Sequence, residues 1–190
     1  MSGVLDIPEI RDQVAPISIE RYHRMIDLGI FDEWKVELLN GVHVKKMSKS
    51  ELRLFLVDLL MEMLSSHCSG SEFWVRKEDP ITIEDSEPEP DVSVVRGSRA
   101  KFRHTKPTTA QLVIEVAVSS LSLDRAKGAE YPKAKVPEYW IVRPEHNGTE
   151  VYRAPLSGVF SQQSEVSAEA ELESSALPGF SFCLEAALAE

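Results

Sequence analysis

The sequence predicts a mixed α/β (α+β) fold, a partly antiparallel sheet with helices on its faces. Three observations predict it. Short runs rich in β-branched residues alternate with stretches of helical spacing. Asn40-Gly41 stands between the apolar runs Val36–Leu39 and Val42–Val44, the dipeptide a two-residue type I′ hairpin favours. A helical stretch near Leu123–Tyr131 separates two strand-like runs, the pattern of a right-handed strand–helix–strand crossover.

Each element has its own reason. Residues 1–15 carry few periodic apolar side chains and read as a loose lead-in to one domain spanning 1–190. Ser18 to Gly29 has a polar cap, helical spacing and a terminating glycine. Leu52–Met63 is strongly apolar and predicts a long helix lying on the sheet. Strands are expected at Phe73–Arg76, Ile81–Ile83, Val92–Val95 and Leu112–Val118. After the crossover helix come strands at Tyr139–Val142, Glu150–Arg153, Val159–Gln162 and part of 165–172. A short helix near Leu184–Leu188 ends the chain.

Composition narrows the function. The 190 residues suffice for one domain with a sizeable core. No apolar run of about 18 residues is present, so no membrane span is expected. Met1–Asp6 lacks a basic segment followed by an apolar one, so no secretory signal is expected. Cys68 and Cys183, the two cysteines, form no CxxC pair and read as reduced thiols in a cytoplasmic protein. The formal net charge of −10 opposes a nucleic-acid partner unless metal or a local basic patch offsets it. One such run, Arg96 to Lys106, holds Arg96, Arg99, Lys101, Arg103 and Lys106. A solvated loop is the competing reading of that run.

The chemistry starts with Glu115. It interrupts the apolar run Leu112-Val113-Ile114-Glu115-Val116-Ala117-Val118, and burying an ionised carboxylate is costly unless it is paired or binds metal. Asp91 ends the proline-acid turn Ser86-Glu87-Pro88-Glu89-Pro90-Asp91. Adjacent strands would bring both carboxylates to one point, a candidate divalent-metal site. Glu37, in the hairpin, is a third acid. Asp124, Lys127 and Tyr131 share a helix face, and Lys127 could stabilise a phosphate transition state. Against these stand a buried salt bridge for Glu115, a turn former at Asp91, an exposed hairpin glutamate at Glu37, and a surface ion pair between Lys127 and Asp124. There is no glycine-rich phosphate loop, HExxH or GxSxG, and the histidines lack ligand spacing. Trp74, Tyr139 and Trp140 read as core or interface.

Four segments resemble the Uma2 family of bacterial endonuclease-like proteins. They are Val36-Glu37-Leu38-Leu39-Asn40-Gly41, the turn Ser86 to Val92, the stretch from Leu112-Val113-Ile114-Glu115-Val116 through Ser119-Ser120-Leu121 to Asp124-Arg125-Ala126-Lys127, and Val136-Pro137-Glu138-Tyr139-Trp140. The likeness spans roughly residues 16–185. It implies the restriction-endonuclease-like PD-(D/E)XK fold, a mixed β-sheet flanked by helices. It implies Asp91 and Glu115 as metal ligands for Mg²⁺ or Mn²⁺, Glu37 as an accessory acid completing the metal shell, and Lys127 as the catalytic lysine moved off the strand, where Ala117 now stands. Pro132, Lys135 and Arg143 replace the family's usual alanine, glycine and aspartate. The histidine common at the start of the long helix is absent around Ser50–Leu52.

The function expected is metal-dependent hydrolysis of phosphodiester bonds in DNA by a homodimer, Trp140 or the long helix supplying the interface. The rival is a nuclease-fold protein without turnover that serves as a binding or assembly module. A hydrolase of small phosphorylated substrates is a third reading.

Overall fold

A computed structural model of the protein describes residues 13–190, so most of the expected lead-in lies outside the described residues. Among those, no helix is long and apolar enough to cross a membrane. Helix α1 (Ile19–Asp27) starts on Ser18, whose hydroxyl accepts the Arg21 N–H. Strands β1 (Val36–Leu39) and β2 (Val42–Lys45) pair antiparallel. Their turn places Asn40 at φ 48° and Gly41 at φ 69°, the two positive values a type I′ turn requires.

Helix α2 (Glu51–His67) opens on Ser50. It leads into a six-stranded sheet: β3 (Phe73–Lys77), β4 (Val92–Arg96), β5 (Leu112–Val116), β6 (Glu138–Arg143), β7 (Gly148–Leu156) and β8 (Val159–Ser167), in that spatial order. Only β5 and β6 run parallel. Helix α3 (Leu121–Lys127) lies between them in sequence, as a parallel pair requires a crossover. A two-stranded ladder, β9 (Leu172–Glu173) and β10 (Ser181–Phe182), precedes helix α4 (Leu184–Leu188).

Strand alternation divides the core. Val92, Val94, Leu112, Ile114, Val116 and Trp140 face α2, whose Leu56, Val57, Leu60 and Leu64 cover them. Val95, Val113, Ala117, Tyr139 and Ile141 face the other way, against Tyr131, Val136, Ile81 and Ile83. Residues 113, 115 and 117 share a strand face, so Glu115 points into this second layer.

Several expectations change. Ile81–Ile83 is buried but not a strand: its N–H groups bond to Pro88, Pro107 and Ser86 carbonyls in flanking loops. The strand begun at Leu112 stops at Val116, though the Ala117 N–H still reaches the Val142 carbonyl at 2.8 Å. The crossover helix ends at Lys127 rather than Tyr131, and turns follow to Lys135. Gly128 is its C-cap, and a Cβ there would meet the Tyr139 ring at 3.0 Å. Part of 165–172 is strand as expected, its start completing β8, which is thus longer than expected, and its last residue opening β9. Trp140 is fully buried and cannot supply a dimer interface.

Candidate active site

Register brings the predicted acids together. The antiparallel pairing Val92↔Ile114 sets Asp91, one residue before β4, beside Glu115 on β5. The Asp91 N–H donates to Glu115 Oε2 at 3.2 Å, and the Val116 N–H donates to Asp91 Oδ2 at 2.8 Å. Glu37 arrives from β1, which is tied to the acidic turn by the Glu87 N–H donating to the Leu38 carbonyl at 2.7 Å. Glu37 Oε2 accepts the Glu89 N–H at 3.0 Å. Glu37 and Glu115 are fully buried and Asp91 nearly so.

Lys127 is no surface lysine. It is 2 % exposed, and its Nζ lies 3.0 Å from both Glu115 Oε1 and Glu37 Oε1. The contact to Glu37 lacks hydrogen-bond geometry, so Glu37 Oε1 is a buried oxygen with no hydrogen bond. Tyr131 Oη donates to Glu115 Oε1 at 3.2 Å. Pro132 leaves this arrangement intact because the helix has already ended at Lys127.

One participant, Arg53, has no counterpart in the sequence reading, and Asp124 has a fuller role than that reading gave it. Arg53, in the first turn of α2, grips Asp91 with both arms, Nη2 to Oδ1 at 2.5 Å and Nε to Oδ2 at 3.2 Å. A signal existed: Arg53, Val57, Leu60 and Leu64 recur at helical spacing, which puts Arg53 on the buried face. Asp124 is also buried, its Oδ2 accepting from Ser120 Oγ at 2.5 Å. The sequence places it on one helix face with Lys127 and Tyr131, and its burial rules out the alternative of a surface ion pair.

The electrostatics follow from that inventory. Four buried carboxylates, Glu37, Asp91, Glu115 and Asp124, face two cations, Arg53 and Lys127, which leaves an excess of two negative charges. Burial, helped by Asp124, Asp91 and Glu37, pushes Glu115 well above the usual carboxylate range against the pull of Lys127. Burial likewise raises Asp124 to about 6. Burial opposes the Lys127 ammonium, but Glu115, Glu37 and Asp124 outweigh it and hold the lysine charged.

The donor set suits a hard divalent cation: all oxygen, with one buried oxygen lacking a hydrogen bond and two charges uncompensated. Yet among the described residues no three acidic, histidine or cysteine side chains stand grouped as a ready metal cage. Arg53 engages both Asp91 oxygens, and Lys127 lies against Glu37 and Glu115.

Comparison with known proteins agrees with this fold. The Uma2 family model, described as a putative restriction endonuclease, matches residues 19–188. A crystal structure of "a putative nuclease belonging to DUF820" from Anabaena variabilis ATCC 29413 superposes with a TM-score of 0.76 at 15 % identity, covering 92 % of this chain and 98 % of that one. At that identity the likeness carries the fold. No curated protein matches.

Proposed function

Because the chain belongs to the Uma2 family, we propose that it hydrolyses phosphodiester bonds in DNA with the help of Mg²⁺ or Mn²⁺. The observation that carries this reading is the convergence of Glu37 and Glu115 on a buried Lys127, with Asp91 bonded to Glu115 through its N–H. Glu37, Asp91 and Glu115 would hold the ion. When bound, a divalent ion of this kind neutralises phosphate charge and lowers the pKa of a coordinated water.

The chain's own residues do the rest. Lys127 stays protonated among the carboxylates and offers its ammonium to the charge that grows on the phosphate oxygens. Tyr131 and the Asp91 N–H fix the Glu115 carboxylate from either side, so its orientation is set in advance. Arg53 has the planar fork that matches phosphate as well as carboxylate. Cutting both strands of a duplex needs two such sites, so the reading includes a homodimer, which light scattering would measure.

The test is nicking of plasmid and single-stranded DNA in Mn²⁺. Lys127→Ala should keep metal binding and lose about 10²–10³-fold in rate, the usual loss for one electrostatic stabiliser. Asp91→Ala should lose both. Wild-type nicking no greater than that of Asp91→Ala rejects catalysis on DNA.

One observation favours the rival reading of a binding module without turnover. Arg53 engages Asp91 through both carboxylate oxygens, supplying the counter-charge that a metal would otherwise provide. Wild type that ignores millimolar Mn²⁺ in calorimetry would support that rival.

A further inference from the structure

A groove of about 600 Å³ opens between the loop after β4 and the turn before β6, away from the acids. Arg96, Lys101, Lys106 and Lys135 line it, and no aspartate or glutamate does. That is a marked local reversal in a chain with 31 acidic and 21 basic residues. Arg96 and Lys106 are already committed, to Glu72 and Glu87. Lys101 and Lys135 have no carboxylate partner among the described residues. Nor do Arg99 and Arg103, which border a neighbouring hollow on the other side of Phe102. Four cations without a carboxylate partner therefore line the two hollows that Phe102 borders; Lys101 Nζ stands over the Phe102 ring and donates to the Arg96 carbonyl, and Phe102 itself stacks on Trp74 at 5.9 Å.

Lys135 adds a second, independent observation. Its φ is +59°, a left-handed conformation that is costly for a side chain with a Cβ and free for glycine. Lys135 is exposed, so no core packing explains the side chain. Positive φ recurs at six other non-glycine residues among those described, so place and charge decide: an exposed, unpaired ammonium on the wall of an acid-free groove favours a ligand with negative charge.

The groove shares the sheet with the catalytic acids and faces the same layer, since Val95 and Ala110 on its wall belong to the core that Glu115 points into. It sits at the opposite end of β4 and β5. Three residues separate Leu112 from Glu115 and five separate Asp91 from Arg96, about 10–17 Å of extended chain. At about 3.4 Å of rise per nucleotide along a strand, that is roughly three to five nucleotides from a phosphate held at the acids.

We infer that this groove binds the phosphodiester backbone of a nucleic acid a few nucleotides from the cut, with Lys101 and Lys135 as its principal contacts. The inference rests on the phosphodiesterase reading for its choice of ligand, but binding here does not require turnover.

The test is fluorescence anisotropy of a labelled single-stranded oligonucleotide and its duplex with the full chain in EDTA, over a range of salt. Lys101→Glu with Lys135→Glu should weaken binding by about tenfold or more and lower the log–log salt slope by about one per lost contact. Lys135→Gly separates ligand contact from structure, because relief of strain should raise its melting temperature while its affinity falls. EDTA removes any divalent ion, so binding is read without cleavage and failure of catalysis and failure of the groove are distinguished. Unchanged affinity and slope in the groove variants, or no binding by wild type, overturns the inference. So does competition by poly-glutamate as effective as that by unlabelled oligonucleotide at equal charge.

Discussion

Replacing Arg53 by methionine tests whether the acids are built for a metal. Arg53 is 9 % exposed and makes two charge-assisted hydrogen bonds to Asp91. Without it, Asp91 keeps only the Val116 N–H and sits buried among three other acids. Hydrogen bonds to charged groups contribute about 1.5–3 kcal/mol, and breaking a buried pair costs about 3–5. A loss near 3 kcal/mol is expected here, since the guanidinium lies close to the surface. For a chain of this size that lowers the melting temperature by roughly 6–12 °C. A divalent ion reaching Asp91 in wild type must first separate Arg53 from it; in the methionine variant it need not. The ion then recovers most of that 3 kcal/mol, which is about 10²-fold in affinity. Thermal melts at pH 7.5 with a Mn²⁺ titration, backed by calorimetry, read both effects. The variant should melt lower without metal and gain more from Mn²⁺ than wild type does. A variant that melts lower yet gains no more from Mn²⁺ than wild type refutes the idea that Arg53 stands in for a metal.

Glu115→Gln should abolish the Mn²⁺ response and raise the metal-free melting temperature, because it removes a charge whose burial among other acids is unfavourable. Glu138→Gln should do the reverse at neutral pH. Glu138 is buried, and hydrogen bonds from Ser174, Ala176 N–H, Trp140 and Arg153 outweigh burial and hold it below the usual carboxylate range. A depressed folded pKa gives stability that is full above about 4.3 and is lost as pH falls through the folded value. Melting curves of Glu138→Gln should therefore fall about 1–3 kcal/mol short of wild type at pH 7 and converge on it below about pH 4. Gly128→Ala should destabilise by about 1 kcal/mol or more through the Tyr139 ring 3.0 Å from the new Cβ, measured by urea unfolding.

Legibility in the sequence followed the range of the interaction. The hairpin, α2, the strands of the sheet and α4 were readable because each depends on periodicity and local turn chemistry. Ile81–Ile83 was not: its ends are as apolar as a strand's, but its N–H groups go to the Pro88, Pro107 and Ser86 carbonyls on two separate loops. Glu115 stood out because a charge in an apolar strand is a local contradiction. Arg53 was passed over because arginine in the first turn of a helix is unremarkable until Asp91 is seen to lie 2.5 Å from it. Lys127 was readable as sharing a face with Asp124 and Tyr131, but the fate of that face depended on where β5 lay. Two of the partners of Glu138, Ser174 and Ala176, lie 36 and 38 residues downstream and have no local trace.

The departures from the family pattern fall where the fold can absorb them. Pro132 follows a helix that has already ended, and the Tyr131 N–H still reaches the Lys127 carbonyl at 3.4 Å. Arg143, in place of an aspartate, lies between Glu150 at 3.1 Å and Glu165, and Arg125 approaches Glu150 from the other side. It therefore restores charge balance on β7 and β8 without touching the acids. Lys135 strains its own backbone and faces the cationic groove. The missing histidine differs, because Arg53 stands in the same turn and contacts Asp91 directly. A histidine there could be neutral; an arginine stays charged. Of the departures, this one changes the charge at the acids. The choice between enzyme and binding module thus turns on whether a divalent ion can draw Asp91 away from Arg53.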